Sequence, residues 1–294
     1  MKNTIFTGAA TAIITPTNEQ GVDFEKFGRL IDWQIEEGID SLVICGTTGE
    51  GSTLSDEEHR DALEFAYKRA AGRVPMIAGT GSNDTDYAID LTKYACEIGC
   101  DAMLVVTPYY NKATQKGLIQ SFTAIADAST KPIILYNVPS RTGVAIKPET
   151  YKELSKHEKI VAVKEANGDL SSVAKTRYLC GDDLDIYSGN DDQIIPIMSL
   201  GGIGVISVLS NILPAETHQM CKAALQGDFD LASKLQIKYT GLINALFSDV
   251  NPIPVKEAMN LMGMEAGPCR LPLYPMNDNV KSVLIQKLKE CNCL

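Results

Sequence analysis

The chain has 294 residues, 45 % of them hydrophobic and 22 % charged, with a formal net charge of −10 at pH 7. That length buries a full core as two domains or as one large α/β barrel, and the composition excludes disordered, collagen-like and coiled-coil classes. The acidic balance argues against nucleic acid and anionic membrane as partners, because both need a positive face, while leaving room for a local cationic pocket.

In chain order, Met1-Lys2-Asn3-Thr4 and the short apolar run up to Ile14 resemble a secretory leader only faintly, since the run is interrupted by Thr and closed by Pro16. No stretch approaches the roughly 18 uninterrupted apolar residues of a membrane span. The eight cysteines form no C-x-x-C pair and read as small hydrophobes of a reduced, cytoplasmic protein. Strands are expected at 10–15, 41–45, 75–79, 102–107, 132–137, 160–164, 184–188 and 204–209, spaced by about 28 residues, the size of one βα repeat. Several are apolar on both faces, which suits a parallel sheet buried on both sides. Between them, Ser55 and Glu58 form a capping box, and Asp84, Thr114 and Asp169 each open a further helix. Eight such units predict a (β/α)8 TIM barrel, with a doubly wound open sheet as the alternative. From Pro214 onward only helical periodicity remains, so the expected division is a catalytic barrel over 1–228 and a C-terminal helical appendage over 229–294.

The three histidines, His59, His157 and His218, stand far apart and outside any H-E-x-x-H or Cys-rich setting, and neither a phosphate loop nor a G-x-S-x-G elbow is present. No metal and no cofactor is expected. In a barrel the site lies at the carboxyl ends of the strands. Those edges carry Gly46-Thr47-Thr48-Gly49-Glu50, Pro108-Tyr109-Tyr110-Asn111, Tyr136-Asn137-Val138-Pro139-Ser140-Arg141-Thr142-Gly143, Lys164-Glu165 and Ser188-Gly189-Asn190-Asp191.

Lys164 is the sharpest feature, because Ile160-Val161-Ala162-Val163 runs apolar until it meets an ammonium. A charge in a buried strand is paired, neutralised or used, and desolvation favours the neutral amine that adds to a carbonyl to form a Schiff base. Strand position alone leaves open a lysine that snorkels to water or pairs with a neighbouring carboxylate. The same four letters recur at Val255-Lys256-Glu257-Ala258, after Asn251-Pro252-Ile253-Pro254 and leading into a helix, so Lys256 is expected to be solvated. Tyr136 can shuttle protons or pack on the rim, and Arg141, in a Pro- and Gly-bounded loop, can hold a carboxylate or stand as a surface charge. Thr47-Thr48 can surround an anion or form a plain turn, and Tyr109-Tyr110 can be an interface pair.

Taken together, these segments resemble the dihydrodipicolinate synthase family, within the pyruvate-dependent, Schiff-base-forming aldolases that include N-acetylneuraminate lyase. Gly46-Thr47-Thr48-Gly49-Glu50 resembles the family's first signature, and the Tyr136 segment followed by Val161-Ala162-Val163-Lys164-Glu165 resembles its second. Thr107-Pro108-Tyr109-Tyr110-Asn111 and Asn251-Pro252-Ile253-Pro254-Val255-Lys256 match as well, and the resemblance runs from about Gly8 to the C-terminal helices. It implies that Lys164 forms an imine with pyruvate and that Tyr136 is the general acid/base, linked through Thr48 to Tyr110, whose counterpart reaches into a neighbouring subunit's site. It also implies that Thr47 and Thr48 bind the pyruvate carboxylate, that the backbone around Gly189 and Ile206 lines the pocket, and that Arg141 binds the carboxylate of L-aspartate 4-semialdehyde. The implied reaction gives 4-hydroxy-tetrahydrodipicolinate, toward diaminopimelate and lysine, in a homotetramer built from tight dimers. Sugar-acid lyases of the superfamily generally lack this Arg and read Ser at the position of Thr47. A barrel kept as a binding protein would lose Lys164 or Tyr136, and both are present. In lysine-inhibited members the effector binds at a subunit interface; His59, Asn83 and Tyr109 match positions used there, whereas Gly51, Ser52, Asp56 and Tyr87 differ, so lysine inhibition is expected to be weak or absent.

Overall fold

A computed structural model describes residues 4–294; Met1, Lys2 and Asn3, where the leader-like start begins, lie outside the described residues. Strand β1 (Gly8–Ala12) is followed by a small antiparallel ribbon, β2 (Thr17–Asn18) and β3 (Gly21–Val22), that periodicity does not reveal. Then come α1 (Phe24–Glu36), β4 (Ser41–Ile44), α2 (Asp56–Ala70), β5 (Met76–Gly79), α3 (Thr85–Ile98), β6 (Ala102–Val106), α4 (Gln115–Ala128) and β7 (Ile133–Asn137). The one-turn α5 (Pro139–Thr142) and α6 (Pro148–Leu154) lead to β8 (Ile160–Glu165), α7 (Leu170–Cys180), β9 (Asp185–Ser188), α8 (Ile194–Ser199) and β10 (Gly204–Ser207). The chain ends in α9 (Pro214–Leu225), α10 (Phe229–Leu246), α11 (Ile253–Leu261) and α12 (Asp278–Glu290).

All strands except the ribbon pair in parallel, in the order β1-β10-β9-β8-β7-β6-β5-β4, and β4 returns to β1. The sheet is therefore a closed (β/α)8 TIM barrel and not an open doubly wound sheet. Side chains alternate across it. On β7, Ile134 and Tyr136 join the barrel interior with Ala10, Val43, Leu104 and Ile206, while Ile133 and Leu135 pack outward against the helix layer. Burial on both faces is why these strands read as continuous apolar runs.

The helix starts follow their capping chemistry. Ser55 accepts from the Glu58 N–H while Glu58 accepts from the Ser55 N–H, and Asp84, Thr114 and Asp169 cap α3, α4 and α7. Two strands, β1 and β10, differ from expectation by two residues or more, for a shared reason. β1 spans Gly8–Ala12 because the Ile14 N–H donates to the Asn211 side chain at 3.1 Å instead of to a neighbouring strand. β10 stops at Ser207 because the N–H groups of Val208 and Leu209 both donate to Asp191 Oδ2. Arg141 stands in the helical turn α5, with Pro139 at its start and Gly143 at φ 74° after it, and not in an irregular loop. Among the described residues no helix is long and apolar enough to cross a membrane.

The barrel closes where β1 meets β10, and there the backbones touch. Gly8 pairs with Gly204, and a Cβ on Gly204 would lie 2.0 Å from the Gly8 carbonyl oxygen. Gly204→Ala is expected to force this seam apart and destabilise the fold by about 1–3 kcal/mol. The urea midpoint measures it; an unchanged midpoint would contradict the closure geometry.

Candidate active site

The register of β7 on β8 sets two pairs side by side, Tyr136 with Lys164 and Asn137 with Glu165. Alternation sends the first pair into the barrel mouth and the second outward, under the helices. Lys164 is 5 % exposed, and its Nζ stands 4.3 Å from the centroid of the Tyr136 ring. Among the described residues Nζ has no hydrogen-bond or ion-pair partner. Gly189, at the end of β9, leaves room beside it: a Cβ there would meet Lys164 Cγ at 3.1 Å and Ala166 Cβ at 2.8 Å. Ile206 of β10 is buried in the same interior cluster as Tyr136.

Lys256 corrects an expectation. It is 1 % exposed, and its Nζ bonds Glu50 Oε1 at 2.8 Å, Pro268 O at 2.6 Å, Thr15 O at 3.1 Å and Thr17 Oγ1 at 3.2 Å. The reading as a solvated helix residue fails because it falls on the face of α11 that also buries Val255, Ala258 and Met259. Two lysines with the same local letters thus have opposite surroundings. One nitrogen is answered by a carboxylate and three further oxygens; the other stands over a ring face.

A cavity of about 390 Å³ opens over this rim, with Thr47, Tyr136 and Arg141 in its wall. Thr48 is buried and its hydroxyl accepts from Asn251 Nδ2 at 3.0 Å, while the Asn251 carbonyl accepts from Arg141 Nη2 at 3.2 Å. The predicted chain from Tyr136 through Thr48 to Tyr110 is not joined within this chain. Tyr110 is 89 % exposed with φ 74°, and among the described residues neither its hydroxyl nor that of Tyr136 has a hydrogen-bond partner. Of the residues compared with lysine-inhibited enzymes, Gly51, Ser52, His59, Tyr87 and Tyr109 border the same cavity. Tyr87 donates to Asp56 Oδ1 at 2.9 Å; burial, followed by this bond, pushes its hydroxyl up to about 12.

The outward pair was invisible to a reading of strand ends. Glu165 accepts from Asn137 Nδ2 at 2.9 and 3.2 Å, from the Tyr151 hydroxyl at 2.9 Å and from the Asn167 N–H at 3.0 Å. Asn137 Oδ1 in turn accepts from the Ile146 N–H, so this cluster ties β7, β8 and α6 behind the Tyr136–Lys164 pair. Strand parity was the available signal, since the neighbour of an inward residue must face out.

Burial pushes the Glu165 carboxyl up from its ordinary 4.5 to about 7, against the lowering effect of its hydrogen bonds. An acid that gains proton affinity on folding removes stability as pH rises from its unfolded to its folded value, and no further above. Between about pH 4.5 and about pH 7 the wild type should therefore lose stability relative to Glu165→Gln, with a constant difference above that window. Urea midpoints across the range test this; parallel curves would contradict it.

A family model described as the Dihydrodipicolinate synthetase family matches residues 5–291. A 4-hydroxy-tetrahydrodipicolinate synthase of Thermoanaerobacter sp. (strain X514) is 55 % identical over 295 residues, covering 98 % of this chain and 99 % of the relative. The crystal structure of dihydrodipicolinate synthase from Aquifex aeolicus matches with a TM-score of 0.96 and 44 % identity over 98 % of this chain and 99 % of that one. The chloride-inhibited enzyme of Acinetobacter baumannii, complexed with pyruvate, also gives 0.96, with 43 % identity over 99 % of this chain and 100 % of that one.

Proposed function

The chain belongs to the dihydrodipicolinate synthetase family, and from that premise and the site's geometry we propose that it condenses pyruvate with L-aspartate 4-semialdehyde to 4-hydroxy-tetrahydrodipicolinate, for diaminopimelate and lysine synthesis. The observation that carries the reading is Lys164: 5 % exposed, with no hydrogen bond or contact ion pair among the described residues, its Nζ 4.3 Å from the Tyr136 ring centroid.

The Lys164 amine adds to the ketone carbon of pyruvate and water leaves, forming an imine. Loss of a methyl proton gives an enamine, whose carbon attacks the aldehyde of the second substrate. The amino group of that substrate then closes the ring on the imine carbon and releases Lys164, so one water is lost overall. Tyr136 gives and takes these protons in this reading. Thr47 and Thr48 hold the pyruvate carboxylate, the backbone around Gly189 and Ile206 lines the pocket, and Arg141, steadied by the Asn251 carbonyl, meets the carboxylate of the semialdehyde. The imine itself is the electron sink, so the reaction calls for no further cofactor. Tyr110, standing out from the rim, fits a role in a neighbouring subunit's site within a cytoplasmic homotetramer of tight dimers.

Borohydride reduction in the presence of pyruvate should add the pyruvate-derived mass to Lys164 alone, read by peptide mass mapping; an adduct elsewhere, or none, overturns the reading. Lys164→Arg is expected to abolish condensation, and Tyr136→Phe to lower kcat by about 10²–10⁴-fold. Arg141→Ala should raise the half-saturating semialdehyde concentration while sparing the rate of pyruvate trapping. L-Lysine at about 1 mM is expected to leave pyruvate half-saturation unchanged, because the Asp56 carboxylate is already taken up by Tyr87 and Arg60; inhibition below that concentration would refute it.

A further inference from the structure

The loop that carries Thr47 and Thr48 is held by a segment about 200 positions later in the chain. Lys256 and Glu50 form an ion pair at 2.8 Å, with side chains 2 % and 1 % exposed. The second Glu50 oxygen accepts from the Arg270 N–H at 2.8 Å. Glu50 itself has φ 55°, a left-handed conformation uncommon outside Gly, Asn and Asp. On one side of it, Thr15 Oγ1 donates to the Gly49 carbonyl at 2.7 Å; on the other, a Cβ on Gly51 would lie 2.2 Å from the Cys45 carbonyl oxygen. Five residues before Lys256, Asn251 bonds the Thr48 hydroxyl with its side chain and Arg141 with its carbonyl. One segment therefore touches both of the groups assigned to substrate carboxylates.

A buried ion pair is weak ground for stability, since desolvation offsets most of the attraction and an apolar pair of similar volume packs as well. What apolar residues do not supply is direction. A carboxylate held by an ammonium on one oxygen and a backbone N–H on the other fixes the orientation of residue 50, and with it the strained turn two residues after Thr48. We propose that Glu50 and Lys256 are positioning residues, whose ion pair holds the Thr47–Thr48 loop at the geometry that receives the pyruvate carboxylate. This rests on the assignment of Thr47 and Thr48 made above.

The test is the double variant Glu50→Leu with Lys256→Met, which removes both charges together and leaves neither ion buried alone. With its fold checked by thermal melting, it should raise the half-saturating pyruvate concentration by about 10- to 100-fold, the effect of a sub-ångström misplacement of binding groups. Borohydride trapping at Lys164 should slow at low pyruvate and recover at saturating pyruvate. A folded double variant with the wild-type half-saturation overturns the proposal. If that variant does not fold, Glu50→Gln keeps the shape and removes one charge; a rise of about 3-fold or more is expected, and an unchanged value again overturns the proposal. Failure to trap pyruvate at Lys164 in the unmutated enzyme would defeat the proposed function instead, so the two failures are separable.

Discussion

Closure of the parallel sheet is the constraint on which everything else in this molecule depends. A sheet closed on itself has no exposed edge, is apolar on both faces and delivers all its carboxyl ends to one rim. The seam at Gly8 and Gly204 completes that circuit. Because side chains alternate with a period of two, the register of β7 on β8 decides both what the rim presents and what supports it. A slip of one residue would exchange Tyr136 and Lys164 for Asn137 and Glu165.

Inside that frame the two buried lysines show how surroundings assign a role to one residue type. Removing an ammonium from water carries a large penalty, which Lys256 offsets with a carboxylate and three further oxygens. Lys164 has an aromatic face at 4.3 Å and, among the described residues, no contact ion pair, an arrangement that leaves its nitrogen open to a carbonyl carbon. The overall charge of −10 gives no attraction to anionic substrates. On the roles proposed above, their recognition falls to local donors, the guanidinium of Arg141 and the hydroxyls of Thr47 and Thr48.

The fold was legible in sequence to the extent that its signals are local. Apolar runs at a βα spacing and capping residues such as Ser55 and Asp84 act within a few residues of themselves, and they located every barrel strand and four helix starts. Strand ends were less legible, because Asn211 and Asp191, far along the chain, intercept the N–H groups that would have continued β1 and β10. In the site, Lys164, Tyr136 and Arg141 could be picked out from strand ends and from the family resemblance. The burial of Lys256 could not, since it depends on which face of α11 the barrel covers. The outward turn of Asn137 and Glu165 followed from strand parity, but the partners they meet there, Tyr151 and Ile146, did not.

The hold of Asn251, Lys256 and Arg270 on Thr48 and Glu50 also bears on how the molecule is made. The threonine loop leaves the ribosome early, and by Ser207 every strand of the barrel has been synthesised, yet the groups that fix the loop are still to come. If the threonine loop receives pyruvate as proposed, a nascent chain with its whole sheet in hand has no finished receptor for it. Competence arrives with α11 and the turn at Arg270, so in this fold the order of synthesis places the making of the scaffold before the making of the site.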